Sequence, residues 1–255
     1  MEMYDDKQHV EDTFNQDNFS EYLLQAQWSE FVELKKAISL LYKQKKSPLE
    51  VLDIGIGDAR VLKHLVGINE LWGIIGHYYG IDVAQNCIDI SNKVINDLGI
   101  IGKAKVSLLD AVNLNQLARK YDLIISTWFT AGNFYPFSFK FDSFVPGYNM
   151  STNDKFTMIF KQAYEMLNEG GQIIIGSMYV DNQDTRKKQE DSYRKFGWKV
   201  ITDERDCFTA TDKGWWSQRF TPQRVQEYLN FIPKEKISFV PLDTYDYAMM
   251  VVINK

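Results

Sequence analysis

Cysteine is scarce in this sequence, and its scarcity excludes two kinds of protein. The 255-residue chain contains only Cys87 and Cys207, which are 120 positions apart. A disulfide framework needs more cysteines than this, and a structural metal site needs ligands that are closely spaced. We therefore expect reduced thiols, no bound metal and a cytoplasmic location.

Positive charge is also in short supply. The formal net charge is −5 and the isoelectric point is about 5.3, so the chain has no general positive field that would attract a polyanion. This balance predicts no nucleic-acid partner and no membrane partner. The acidic first residues lack the basic-then-apolar layout of a secretion signal, which again favours the cytoplasm. The sequence does not indicate an oligomeric state.

A long uninterrupted hydrophobic run is missing as well. The most apolar stretch, residues 123–139, is interrupted by polar residues, a glycine and a proline: Ser126, Thr127, Gly132, Asn133 and Pro136. A transmembrane helix needs about 20 consecutive apolar residues. The stretch therefore favours a buried strand that leads into an aromatic loop.

What is present is an alternation of strand-like and helix-like segments. Hydrophobic patterning predicts strands at 50–54, 77–81, 105–109, 122–126 and 172–179, with helices at 59–66, 84–98 and 154–167. Strands that alternate with helices indicate an α/β fold with a doubly wound, mostly parallel sheet. An amphipathic helix is predicted before them, over residues 20–46.

After residue 180 the pattern changes. Segments 198–208 and 215–220 resemble a β-hairpin, and they are followed by a helix over 221–230 and strands at 237–240 and 247–253. We therefore divide the chain into four parts. They are an N-terminal helical cap (1–48), a cofactor-binding core (49–180), a hairpin or lid insertion (181–220) and a C-terminal part of the core (221–255).

The most specific motif is a buried strand that turns through two glycines into a helix. It reads Asp53-x-Gly55-x-Gly57 and directly follows the first predicted strand of the core. Glycines let a ligand approach the backbone closely, although a purely structural turn would use the same residues. Arg60 stands where a NAD-binding fingerprint has its third glycine, which makes a NAD-type pyrophosphate site the poorer interpretation.

Two further acids end the next two predicted strands. Asp82 lies 29 positions after Asp53, and Asp110 follows the third strand. Each of them alone could be a turn residue. Because the carboxyl ends of parallel strands share one edge of the sheet, the three acids together predict one crevice, in which Asp82 accepts hydrogen bonds from ribose hydroxyls.

On these motifs, residues 49–180 resemble the class I S-adenosylmethionine-dependent methyltransferases, which have a Rossmann-like fold. The resemblance implies a seven-stranded, mostly parallel sheet with an antiparallel last strand. It also implies S-adenosylmethionine as cofactor, with the Asp53-x-Gly55-x-Gly57 loop around the methionine moiety, Asp82 at the ribose and Asp110 at the adenine. The remaining donor-site candidates are the neighbouring Val83, Ala111 and Thr127, and Trp28 on the N-terminal helix, which could equally be a plain covering element.

Aromatic residues after the fourth strand are the candidates for the methyl-acceptor side. They are Trp128, Phe129 and Tyr135, together with the polar Asn133, although an aromatic loop that only fills space over the sheet is an equal alternative. The segment lacks the Asp/Asn-Pro-Pro-aromatic tetrapeptide of amino-methylating DNA and RNA enzymes of the family. Its absence, together with the net charge, favours a small substrate.

The predicted hairpin adds two more acceptor-side candidates. Trp216 would form part of a lid over a polar small molecule, and Arg219 would contact a carboxylate or phosphate. Cross-strand packing on a surface hairpin is the competing interpretation.

No catalytic residue can be assigned from the sequence. The three histidines are scattered and form no recognisable triad or metal cluster. His64 and His77 fall within predicted elements, so Tyr135, Tyr179 and His9 are the candidates for a base. The sequence thus predicts an enzyme that methylates a nitrogen or oxygen of a small polar molecule. The alternatives are a nicotinamide-dependent oxidoreductase and a non-catalytic S-adenosylmethionine-binding protein.

Overall fold

A mixed β-sheet with helices packed on its two faces is the framework of the protein. The structure is a computed structural model that describes residues 10, 13–15, 17, 19–242 and 246–255. The strands are β1 Leu49–Ile54, β2 Ile75–Asp82, β3 Ala104–Leu108, β4 Tyr121–Ser126, β5 Leu167–Val180, β6 Phe208–Ala210, β7 Trp216–Phe220, β8 Ile237–Pro241 and β9 Ala248–Asn254. The α-helices are α1 Glu21–Lys45, α2 Arg60–Val66, α3 Asn69–Ile74, α4 Gln85–Asp97, α5 Asp154–Met166, α6 Gln183–Lys195 and α7 Pro222–Tyr228.

The strand order follows the predicted topology. Strands β3, β2, β1, β4 and β5 are adjacent and parallel. On the other edge of β5, β9 runs antiparallel, and β8 pairs antiparallel with β9. The seven-stranded, mostly parallel sheet with an antiparallel last strand is therefore confirmed.

The hairpin strands join this sheet and bring its total to nine strands. Strand β7 pairs in parallel with the end of β5, Tyr179 with Arg219 and Val180 with Phe220. Because Tyr179 also pairs with Ala248 of β9, β7 and β9 lie on opposite edges of β5. The strands are shorter than predicted, and only Val200 pairs with Thr211 ahead of β6.

Residues along a strand alternate between two hydrophobic cores. Val51 of β1 packs into the core beneath α1, α2 and α4, whereas Leu52 and Ile54 pack into the core with α5 and α7. In β4, Leu123 and Ile125 point one way and Ile124 the other. Successive side chains of a strand point to opposite faces, so these near-continuous apolar runs indicate a sheet that is covered on both sides.

Helix α6 is absent from the sequence prediction. Its buried residues are Thr185, Gln189 and Tyr193, spaced four apart on one face, which is the helical repeat. Two of the three are polar, so hydrophobic periodicity could not reveal the stripe. The short helix α3 was also not predicted, and only Leu71 in it is buried.

The segment between the predicted helix at 154–167 and the predicted strand at 172–179 lies inside β5 as an irregularity. Strand pairing passes from Leu167 with Tyr121 to Gln172 with Leu123, so three extra residues bulge from β5 at this point. Gly170 there has a φ of 68°, in the left-handed region that glycine tolerates best. Among the described residues, no helix combines the length and apolar character that a membrane span needs.

Candidate functional site

A cavity of about 340 Å³ opens at the carboxyl ends of β1 to β4. Its volume lies in the range of small-molecule sites. Its lining combines the glycine loop, the ends of β2 and β3, the aromatic loop after β4 and a few side chains from elsewhere. The lining includes Phe14, Gly55, Gly57, Asp58, Arg60, Asp82, Val83, Asp110, Ala111, Thr127, Trp128, Thr130, Asn133, Phe134, Tyr135, Phe141, Lys155 and Gly214.

The loop after β1 requires its glycines. Gly55 and Gly57 have φ angles of 76° and 55°, which residues other than glycine rarely adopt. A Cβ on Gly55 would collide with the Thr130 side chain, and one on Gly57 would lie 2.9 Å from Phe14 Cζ. The backbone of this loop therefore forms one wall of the cavity, as the motif predicted.

Asp82 and Asp110 meet in this cavity. Asp82 is 8% exposed, and its carboxylate accepts hydrogen bonds from the N–H groups of Gly57 and Ala84, both at 3.0 Å. Burial raises the pKa of Asp82, while those hydrogen bonds oppose the shift. Asp110 accepts from the Val112 N–H at 3.1 Å. The neighbouring Val83, Ala111 and Thr127 also line the cavity.

The third acid of the predicted group does not line the cavity. Asp53 is 2% exposed and accepts a hydrogen bond of 2.5 Å from the Tyr78 hydroxyl. Its Oδ1 has no hydrogen-bond partner among the described residues. Burial raises the pKa of Asp53 to about 7. Asp53 thus lies beneath the glycine loop because β1 ends inside the sheet, flanked by β2 and β4.

Trp28 was wrongly placed against the ligand. Its side chain is 66% exposed and does not line the cavity. The buried stripe of α1 instead contains Ala26, Glu30, Leu34 and Ile38. These residues are spaced four apart, so a carboxylate occupies a position in an otherwise apolar helix face. An acidic residue at an apolar position of the helix could have indicated a buried role for Glu30, but Glu30 was not predicted as a site residue.

Glu30 connects the glycine loop to the aromatic loop. It is 2% exposed, its Oε1 lies 3.1 Å from Arg60 Nη2, and its Oε2 accepts the Trp128 N–H at 3.0 Å. Gly176 makes room for this carboxylate, since a Cβ there would overlap it. The Arg60 guanidinium in turn lies 4.4 Å from the Trp128 ring centroid, a cation–π distance. Arg60 Nη1 is buried without a partner among the described residues.

The aromatic loop after β4 has an unusual backbone. Trp128 and Phe129 have φ angles of 52° and 63°, and a bulky residue in this region is strained. Trp128, Asn133 and Tyr135 line the cavity, but Phe129 does not. Phe129 stacks on Tyr179 with ring centroids 3.8 Å apart, and Tyr179 packs against Tyr247. Phe129 and Tyr179 are therefore core residues that hold the loop, contrary to their predicted roles.

The two hairpin residues that were predicted on the acceptor side, Arg219 and Trp216, are buried in the structure. Arg219 is 1% exposed, donates to Gln189, Thr209 and the carbonyl of Asp206, and does not line the cavity. Trp216 is fully buried and stacks on Phe208 at 3.7 Å. Both are corrections, and they arise because β7 is paired into the sheet. Only Gly214 of the hairpin turn reaches the cavity.

Several lining residues outside the segments predicted for the site were not found from the sequence, chiefly Phe14, Phe141 and Lys155. The Lys155 Nζ lies 5.4 Å from the Tyr135 ring centroid. These residues come from distant parts of the chain, and no motif marks them. The predicted base candidate His9 lies outside the described residues.

No family model and no curated protein matches this sequence, but solved structures do resemble the fold. An S-adenosylmethionine-dependent methyltransferase from Clostridium acetobutylicum aligns with a TM-score of 0.58 at 14% identity, over 97% of this chain and 96% of that one. A magnesium protoporphyrin IX methyltransferase from Synechocystis, with bound S-adenosylhomocysteine, aligns with a TM-score of 0.54 at 10% identity, over 96% and 91%.

A third similar structure is the Burkholderia thailandensis 1,6-didemethyltoxoflavin-N1-methyltransferase with bound 1,6-didemethyltoxoflavin and S-adenosylhomocysteine. It aligns with a TM-score of 0.53 at 13% identity, over 89% of this chain and 80% of that one. The chain therefore has the Rossmann-like fold of the class I S-adenosylmethionine-dependent methyltransferases, as its motifs predicted.

Proposed function

We propose that this protein is an S-adenosylmethionine-dependent methyltransferase that methylates a nitrogen or oxygen of a small polar molecule. The observation that carries the proposal is the convergence of the two-glycine loop, Asp82 and Asp110 on a single cavity at the strand ends. In open α/β sheets this edge is where nucleotide ligands bind.

The residues present fit such a donor. Asp82 can accept from the two ribose hydroxyls, Asp110 from the adenine amino group, and the bare backbone of Gly55 and Gly57 leaves room for the methionine chain. Arg60 supplies a buried Nη1 donor that lacks a partner among the described residues, and a carboxylate at the methionine end would satisfy it. S-adenosylmethionine would supply a methyl group already activated on a sulfonium.

The chain's own contribution to methyl transfer would then be position and environment. Aligning an acceptor with the methyl group can supply about 7–11 kcal/mol of the barrier when the geometry is ideal. Trp128 and Tyr135 border the cavity, and an aromatic ring that faces a positive centre stabilises it by about 0.5–2 kcal/mol. Tyr135 is the candidate for proton removal, because Tyr179 packs away from the cavity.

Calorimetric titration tests donor binding first. We expect the purified protein to bind S-adenosylmethionine and S-adenosylhomocysteine and to show no detectable binding of NAD. Binding of NAD with no response to the sulfonium compound would instead support the oxidoreductase.

Methyl transfer is tested with methyl-labelled donor and fractionated cell extract. We expect label in small molecules. Tight donor binding with no labelled product in broad extracts would point to a non-catalytic binder, and label in protein or RNA would contradict a small acceptor.

A further inference from the structure

The charged side chains that line the cavity differ in whether an ion pair or backbone hydrogen bonds compensate their charge. Asp58 pairs with Lys63 at 2.7 Å, and Arg60 pairs with Glu30. Asp82 and Asp110 accept backbone N–H groups. Lys155 differs, since no carboxylate lies within ion-pair distance of its ammonium among the described residues of the chain.

The position of Lys155 is unfavourable for the fold alone. It lies in the first turn of α5, which begins at Asp154, and a cation there faces the positive end of the helix dipole. Its side chain is half-buried, with Nζ 5.4 Å from the Tyr135 ring. Among the described residues, the Lys155 ammonium therefore forms no ion pair that would compensate for this position.

We infer that Lys155 is the anchor for an anionic oxygen group, a carboxylate or a phosphate, of the methyl acceptor. The inference rests on the proposed function and deepens it, because it defines the substrate class as a small acid. The unpartnered Nη1 of Arg60 lies beside the glycine loop and is assigned above to the carboxylate of the methyl donor. Lys155 is therefore the cation that remains for the methyl acceptor. The walls near Lys155 include Phe134, Tyr135 and Phe141, which suit an acid with an apolar or aromatic body.

The experiment compares wild-type protein with Lys155→Met, Lys155→Arg and Lys161→Met. Lys161 is a matched control, because it is an exposed lysine on the same helix that does not line the cavity. Each protein is first titrated with S-adenosylmethionine. It is then saturated with S-adenosylhomocysteine and titrated with benzoate, phenyl phosphate and neutral benzamide by ligand-observed NMR.

We expect wild-type protein to bind benzoate or phenyl phosphate at least roughly tenfold more tightly than benzamide, the effect of one charge-assisted hydrogen bond. Lys155→Met should lose that preference, whereas Lys155→Arg and Lys161→Met should keep it. Donor affinity should be unchanged in all four proteins. Whichever acid binds better identifies the anionic group, and labelled products from extract should be retained by an anion exchanger.

The inference is overturned if wild-type protein shows no preference for either acid, or if Lys155→Met retains the preference. It is also overturned if Lys155→Met weakens only donor binding, which would assign the lysine to the donor. Failure of wild-type protein to bind S-adenosylmethionine would refute the proposed function separately, and the acid titrations without nucleotide would still decide the role of Lys155.

Discussion

The two sides of the cavity are built in different ways. The proposed donor side consists of the glycine loop, Asp82 and Asp110, which lie at or just after the ends of β1, β2 and β3. Both carboxylates accept backbone N–H groups at 3.0–3.1 Å. The opposite side is assembled from Phe14, the aromatic loop, Lys155 and Gly214, which are far apart in the chain. A side made of strand ends is specified by local sequence, whereas a side made of distant loops depends on how the whole chain packs.

Glu30 is where the two sides meet. Its carboxylate pairs with Arg60 next to the glycine loop and accepts the Trp128 N–H of the aromatic loop. The strained φ of Trp128 is therefore held from a helix more than ninety positions earlier in the chain. The four predictions that follow test how independent the two sides are, in order of decreasing effect.

The largest effect is expected from Gly55→Val. The new side chain would collide with Thr130 and would have to adopt a φ of 76°, so we expect S-adenosylmethionine binding to fall below detection by calorimetry. Gly99→Val is the matched control, because Gly99 also has a positive φ but no atom within 4 Å of its Cβ position. Normal donor binding by Gly55→Val would show that this loop is remote from the ligand.

Glu30→Ala should destabilise the protein by about 3–5 kcal/mol, because it leaves the Arg60 charge buried and unpaired. Glu33→Ala on the same helix is the control. Its pair with Lys36 is exposed, with side-chain exposures of 29% and 67%, and should contribute at most about 1 kcal/mol. Urea unfolding measures both. Equal losses in the two variants would show that the two sides are not coupled through Glu30.

Stability should depend on pH through Asp53. Burial raises its pKa from 3.8 to about 7, so across that window the folded chain holds a proton that the unfolded chain releases. The unfolding free energy should therefore fall as pH rises to about 7, with a slope that approaches ~1.4 kcal/mol per pH unit, and level off above it.

Asp53→Asn should remove this component, since an amide does not titrate there. Urea unfolding of both proteins across and above the window measures this, and the unfolding free energy of wild-type protein relative to Asp53→Asn should fall up to about pH 7 and stay constant above it. Parallel profiles for the two proteins would contradict the assignment.

Asp82→Ala should weaken S-adenosylmethionine binding by about 1–3 kcal/mol, the scale of charged hydrogen bonds left unmade. The Gly57 and Ala84 N–H groups also lose their acceptor, so circular dichroism must first establish that the fold is intact. Asp89→Ala, an exposed position in the next helix, is the control. Unchanged affinity in Asp82→Ala would remove this carboxylate from the donor site.

Sequence patterns predicted those parts of the site in which a local backbone requirement determines the residue type. Gly55 and Gly57 were predictable because positive φ angles and close approach require glycine, and Asp82 and Asp110 because parallel strands end at one edge. Arg219 and Trp216 were misassigned because strand residues alone do not reveal that β7 pairs with β5. Trp28 was misassigned because helical periodicity defines a face but not the neighbour that covers it.

The sequence by itself determined the α/β alternation, the two-glycine motif and the strand ends on which it stands, since each depends on neighbouring residues and on backbone geometry. Only the tertiary structure decided that Asp53 is buried against Tyr78, that Glu30 ties Arg60 to Trp128, and that Lys155 borders the same cavity. These contacts join residues that no local pattern relates, because burial and ion pairing are set by which surfaces meet when the helices pack onto the sheet.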